Sequence, residues 1–139
     1  MKKVIKSEHE MHAFARQVAK KIKPGDILAL SGELGSGKTT FVKGLAKAMG
    51  ITGHIISPTF VLFKPYKVKN QKFTKFVHVD AYRVEEAELQ EVGIEDYFED
   101  GSVLAIEWAE KIKKILPPGR TKWFRFSLGK KENERIVQF

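Results

Sequence analysis

The run Gly32-Glu33-Leu34-Gly35-Ser36-Gly37-Lys38-Thr39 has the spacing G-x-x-x-x-G-K-[ST], and each residue type in it has a chemical reason to be there. Glycines let successive backbone N–H groups curl around a polyphosphate, and a helix that starts where the loop ends adds unpaired donors and a favourable dipole. The Lys38 ammonium then reaches β and γ phosphates. The Thr39 hydroxyl is a hard oxygen ligand suited to a Mg²⁺ that bridges the same phosphates.

Hydrolysis needs more than a cradle. An acid at the end of a neighbouring strand must hold the metal's water shell, and some group must orient the attacking water. Two acids qualify: Glu107 follows the apolar run Val103-Leu104-Ala105-Ile106, and Asp80 follows Phe76-Val77-His78-Val79. The competing reading of each is a helix cap or a surface salt bridge. Ser57-Pro58-Thr59-Phe60, after the loop's helix, is either a switch segment whose hydroxyl senses the γ phosphate or a polar turn before a strand. Trp108 is either core or a nucleotide contact, and His78, flanked by apolar residues, is read as structural and given no chemical role. No N-K-x-D occurs, so the usual guanine-reading element is missing and ATP is favoured over GTP.

The elements that must position these groups follow from hydrophobic periodicity. Ser7 with Glu10 forms a capping-box signature, and Met11, Phe14, Val18 and Ile22 recur at helical spacing, which predicts a helix over 8–22 ending at Pro24-Gly25. Ile27 to Leu30 reads as a buried parallel strand, and Lys38 to Met49 as a helix stopped by Gly50. Strands are predicted at 60–63 and 73–79, joined by a polar lysine-rich connection. Short helices at 85–89 and 94–98, a strand at 103–106 and a helix over 109–115 follow. Trp123 to Phe126 and Arg135 to Phe139 are expected to pair as a closing antiparallel hairpin. The expected fold class is therefore α/β, with a central mostly parallel sheet, antiparallel additions and one domain over residues 1–139.

Composition narrows the function classes. With 42% hydrophobic and 30% charged residues the chain is expected to fold as an ordinary globule, and its apolar runs are far shorter than the ~20 residues of a membrane span. The lysine-rich start lacks the apolar centre of a signal peptide, so the cytoplasm is the expected location, with no membrane contact. Zero cysteines exclude disulfides, thiolate catalysis and thiolate zinc sites. The net charge of +8 is unevenly spread: eleven acids lie between Asp80 and Glu110, where Arg83 is the sole arginine or lysine. Lys64, Lys67, Lys69, Lys72 and Lys75 form an acid-free stretch, joined later by Lys111, Lys113, Lys114, Arg120 and Lys122. Such a surface either attracts a phosphate backbone or is simply solvated.

The ordered set of the loop through Thr40, Ser57-Pro58-Thr59-Phe60, His78-Val79-Asp80-Ala81-Tyr82-Arg83, Glu88-Leu89 with Gly93-Ile94, and Ile106-Glu107-Trp108 closely resembles the TsaE family, formerly YjeE. The resemblance spans essentially the whole chain. It implies a three-layer P-loop fold and a slow ATPase needed for N6-threonylcarbamoylation of adenosine 37 in tRNA, working with TsaD, which performs the transfer, and TsaB. It implies that Lys38 and the loop residues Glu33, Leu34, Gly35, Ser36 and Gly37, with Thr40, hold the phosphates of ATP, and that Thr39 and Glu107 hold Mg²⁺. Asp80 falls by the γ phosphate or its water, Thr59 in a switch, Trp108 in the family's E-W signature, and Ser7 and Arg135 near the nucleotide. Lys38, Asp80 and Glu107 are the implied catalytic set, and tRNA contact is direct or indirect. Two other classes share the cradle: a small-molecule P-loop kinase, for whose acceptor region and lid 139 residues leave little room, and a nucleotide-gated binding module without turnover.

Overall fold

A computed structural model describes residues 1–51, 63–68, 73, 75–83, 85–91 and 93–139. Seven strands form one sheet: β1 (Lys2–Ile5), β2 (Ile27–Ser31), β3 (Phe63–Lys67), β4 (Lys75–Asp80), β5 (Val103–Glu107), β6 (Thr121–Leu128) and β7 (Arg135–Gln138). Their spatial order is β1-β7-β6-β2-β5-β4-β3. The centre, β6-β2-β5-β4, is parallel, while β3 at one side and β7 and β1 at the other are antiparallel.

Alternation along the central strands explains the three layers, because successive side chains point to opposite faces. Leu28 and Leu30 of β2 and Ala105 of β5 face a core shared with helices α1 (Glu8–Ala19) and α2 (Lys38–Ala48), where Met11, Phe14, Phe41 and Leu45 are buried. Ile27, Ala29, Leu104 and Ile106 face the opposite core, closed by helices α3 (Glu86–Glu91) and α4 (Ile94–Glu99) through Leu89, Ile94 and Phe98. A short 3-10 helix over Ala109–Ile115 completes that layer with Ile112.

The structure corrects several expectations. The helix expected over 8–22 ends at Ala19, and Ile22 closes instead with a turn bond to the Ala19 carbonyl. The end tightens into turn bonds from Lys21 to Val18 and from Ile22 to Ala19, and Pro24 keeps the helix from resuming because it disfavours helical geometry at Lys23. Strand β1 has no counterpart in the sequence reading: its lysines suit an exposed sheet margin, and it pairs Lys2 with Gln138 through Ile5 with Arg135. The segment Lys64 to Lys67, expected as part of a loop, is most of β3, where Pro65 is tolerated because the strand lies at the margin of the sheet. Of the strand expected at 60–63, only Phe63 lies within the described residues. Residues 109–115 form a 3-10 helix kinked at Ile112, not a regular helix. The terminal hairpin also does more than close on itself, since β6 runs parallel beside β2 from Ile27↔Thr121 to Ser31↔Arg125. No helix among the described residues is long and apolar enough to cross a membrane.

Candidate functional site

The loop between β2 and α2 sits where the parallel strands end, the crevice at which α/β sheets bind ligands. Its path depends on Gly32, whose φ of +138° and whose approach to β6 both exclude a side chain: a Cβ there would lie 2.2 Å from the Phe126 carbonyl oxygen. Helix α2 then starts from a left-handed Gly37 with no side-chain cap, so its first-turn N–H groups are available to an anion. The Ser36 hydroxyl, almost fully buried, has no hydrogen-bond partner among the described residues.

Lys38 is 4% exposed, and its ammonium folds back to donate to the Gly32 and Glu33 carbonyls. The ammonium also lies 4.2 Å from the centre of the Trp108 ring. Burial pulls the Lys38 pKa below the usual lysine range, and the carboxylates of Glu107, Glu110, Asp80 and Glu33 pull it partly back up. Trp108 itself adopts φ +58°, the sole left-handed non-glycine among the described residues, and its ring packs 4.8 Å from that of Tyr82.

Two acids converge on the loop because β4 and β5 run parallel in a register that sets Asp80 opposite Glu107. The Glu107 carboxylate, 4% exposed, accepts from the Thr39 hydroxyl at 2.8 Å through one oxygen. Its other oxygen lies 2.6 Å from His78 Nε2. Asp80 accepts from the Tyr82 backbone N–H at 2.9 Å, and its side chain remains half-buried at the mouth of the site.

These groups border one cleft of about 560 Å³. Of the residues singled out from sequence, Leu34, Gly35, Ser36, Gly37, Lys38, Thr39 and Thr40 line its floor, Asp80, Glu107 and Trp108 one wall, and Ser7 and Arg135 the other. Glu33 does not line the cleft; its side chain is exposed and its carbonyl serves Lys38. Thr59, with Ser57, Pro58 and Phe60, lies outside the described residues. Ser7 also caps α1, accepting from the Glu10 N–H at 3.1 Å. Arg135 reaches across from β7 to donate to the Gly35 carbonyl at 2.9 Å, tying the sheet margin to the loop.

The sequence reading missed Ile5, Lys6, Glu8, Met11 and Asn133, all of which line the cleft. They come from the start of the chain, which reaches the cleft through the long-range pairing of β1 with β7, and from the turn of the β6–β7 hairpin, so no local spacing announces them as site residues. It also left His78 without a role, although the ring is fully buried against Glu107. Several members of the basic set prove to be engaged within the chain: Lys122 with Asp26 at 2.8 Å, Arg120 with Glu99 at 3.4 Å, and Lys75 with Asp100 at 3.9 Å. Lys64 and Lys67 stand exposed on β3.

Comparison with known proteins gives this arrangement a family. The model of the family described as "Threonylcarbamoyl adenosine biosynthesis protein TsaE" matches residues 5–137. The chain belongs to the TsaE family. A Bacillus subtilis relative named tRNA threonylcarbamoyladenosine biosynthesis protein TsaE is 43% identical over 80% of this chain and 68% of its own length. A Borreliella burgdorferi relative of the same name is 39% identical over 83% of this chain and 82% of its own. A Rickettsia felis relative, also so named, is 40% identical over 83% of this chain and 66% of its own length. The crystal structure of Bacillus subtilis YdiB superimposes with a TM-score of 0.80 at 32% identity, covering 99% of this chain and 82% of that one. The α/β architecture with its loop between β2 and α2 is thus that of the family, as a P-loop fold requires.

Proposed function

We propose that this chain binds ATP with Mg²⁺, hydrolyses it slowly, and serves N6-threonylcarbamoylation of adenosine 37 in tRNA as a nucleotide-driven component acting in the cytoplasm with homologues of TsaD and TsaB. The observation that carries the reading is that a donor-rich loop, a lysine, a threonine hydroxyl and a strand-end carboxylate meet at one cleft. The family and the names of its relatives supply the pathway.

In this reading the loop amides, the Ser36 hydroxyl, which has no partner among the described residues, and Lys38 grip the β and γ phosphates. A phosphate oxygen is a charged acceptor and outcompetes the neutral Gly32 and Glu33 carbonyls for the ammonium. Its negative charge also favours the ammonium form and so offsets the burial that depresses the lysine. Thr39 and Glu107 fit a small hard cation, since both offer oxygen and they stand 2.8 Å apart. Two protein oxygens suffice for such an ion, because Mg²⁺ draws most of its shell from substrate phosphates and water. Mg²⁺ bound there would neutralise charge on the transferring phosphoryl group.

Asp80, opposite Glu107 at the neighbouring strand end, is the group we assign to the attacking water. Ile5 and Met11 offer apolar surface, and Ser7 and Arg135 polar contacts, on the side away from the acids, where the nucleoside would lie. Thr59 keeps the switch role that the resemblance gives it. Bound ATP and ADP act on partners only through differential affinity for two arrangements, so turnover without partners is expected to be slow.

Calorimetry with Mg-ATP tests the reading. Lys38→Ala is expected to abolish binding, whereas Asp80→Ala and Glu107→Ala retain part of it and lose hydrolysis. Reconstituted tRNA modification with the TsaD and TsaB homologues should stop when this chain is omitted. No heat with any triphosphate, alone or beside those partners, would refute the proposal.

A further inference from the structure

His78 is fully buried in β4, yet it is not surrounded only by apolar groups: its Nε2 lies 2.6 Å from one oxygen of Glu107. The other Glu107 oxygen takes the Thr39 hydroxyl at 2.8 Å, so two separate elements, β4 and α2, each fix one oxygen of a single carboxylate. A carboxylate on a flexible side chain held at both oxygens has one orientation left, which is what a cation ligand needs. The second ring nitrogen, Nδ1, is buried without a hydrogen-bond partner among the described residues. A ring N–H left there would be an unpaired buried donor, so the tautomer that fits carries its hydrogen on Nε2, pointed at Glu107.

The strand register makes the contact specific. His78 stands opposite Ala105, two residues before Glu107 on β5, and both His78 and Glu107 face the α2 side of the sheet. The small Ala105 side chain leaves the imidazole room to lean along the strand towards the carboxylate.

Resting on the reading of this cleft as a Mg-nucleotide site, we propose that His78 is a positioning residue for Glu107. Its Nε2–H holds one carboxylate oxygen so that the other faces Thr39 and the cation. It touches neither phosphate nor metal; it acts through Glu107.

The test compares ATP binding with Mg²⁺ and with EDTA, by calorimetry, in the intact chain and in two variants. His78→Phe keeps a ring in the strand and removes the donor, while His78→Gln keeps an N–H donor at nearly the reach of Nε2. The proposal expects His78→Phe to bind ATP in EDTA like the parent but to lose roughly 10- to 100-fold of the affinity that Mg²⁺ adds, the usual effect of losing an outer-shell partner. His78→Gln should recover most of that increment, which a purely space-filling role would not allow. His78→Met, which fills similar volume without a donor, takes the place of His78→Phe if the latter melts below the working temperature.

An unchanged Mg²⁺ increment in the donor-less variant overturns the positioning role, and so does a glutamine variant that falls as far as the phenylalanine one. A parent chain to which Mg²⁺ adds no ATP affinity overturns the Mg-nucleotide reading itself, and the role of His78 with it. The two failures are therefore told apart by the parent's own titration.

Discussion

Replacing Gly32 with alanine tests whether the loop is built around a contact that only glycine permits. Two effects add at this position. The φ of +138° is a region that side-chain-bearing residues enter at a cost of about 1–3 kcal/mol. The new Cβ would also sit 2.2 Å from the Phe126 carbonyl oxygen and 3.0 Å from its carbon. An ordinary carbon–oxygen contact is about 3.3 Å or more, so something must move by about 1 Å. Phe126 cannot readily yield, because it is held in the β6–β7 ladder opposite Val137. Overpacking a rigid site costs about 1–3 kcal/mol, and this clash belongs near the top of that range. The total is about 4–6 kcal/mol, which at about 4 °C per kcal/mol for a domain of this size lowers the melting temperature by about 16–24 °C.

Gly35→Ala is the internal control. Gly35 has φ +78°, but a Cβ there meets nothing within 4 Å. Its cost is the left-handed conformation alone, about 1–2 kcal/mol, or about 4–8 °C. Thermal melts of both variants, followed by circular dichroism, measure the difference. If Gly32→Ala and Gly35→Ala melt within 2 °C of each other, the contact with β6 does not shape the loop and the reasoning fails.

Three further outcomes follow from other contacts. Lys38→Met removes a buried ammonium whose pKa is lowered; folding therefore disfavours its charged form, and the variant should melt no lower than the parent at neutral pH while losing nucleotide binding. A destabilised Lys38→Met would mean that the bonds to Gly32 and Glu33 outweigh desolvation. Ser7→Ala removes the α1 cap and should cost about 1 kcal/mol in denaturant melts of the nucleotide-free chain; an unchanged midpoint would show that the Glu10 N–H finds another acceptor. Reversing Lys64 and Lys67 to glutamate should weaken tRNA binding and lower its log–log salt slope by about one unit for each lysine that meets a phosphate, and unchanged anisotropy titrations would discard β3 as a tRNA contact.

What the sequence made legible, and what it hid, divides by range of interaction. The loop, its strand and its helix are contiguous, so spacing alone places Gly32 to Thr39 between β2 and α2. Asp80 and Glu107 were found for a similar reason, because an apolar run ending in an acid is local, and parallel pairing then sets them side by side. Strand β1 was hidden because its alternation is masked by Lys2 and Lys3, and only the distant β7 makes it a strand. The lysines of β3 misled in the same way: charge marks both a solvated loop and a protected sheet margin. His78 was legible as buried but not as useful, since its partner lies 29 residues away on a neighbouring strand.

The two walls of the cleft therefore differ in kind. The acidic wall is carried by β4 and β5, whose strand ends are buried in the parallel centre of the sheet and held by packing on both faces. The opposite wall is carried by β1, the start of α1 and β7, joined at the sheet margin by four residue pairs and tied to the loop through Arg135. A ligand that touches both walls adds contacts to strands at the sheet margin as well as to the parallel centre. Mass action then stabilises the margin more visibly than the centre, because local opening there begins from a lower free energy. Hydrogen exchange should accordingly slow most in residues 2–5 and 135–138 when nucleotide binds, with little change in β2 and β5, whose amides open only when the whole sheet does. Equal slowing in both regions would mean that the margin and the centre unfold as one unit and that the contrast between the walls has no energetic content.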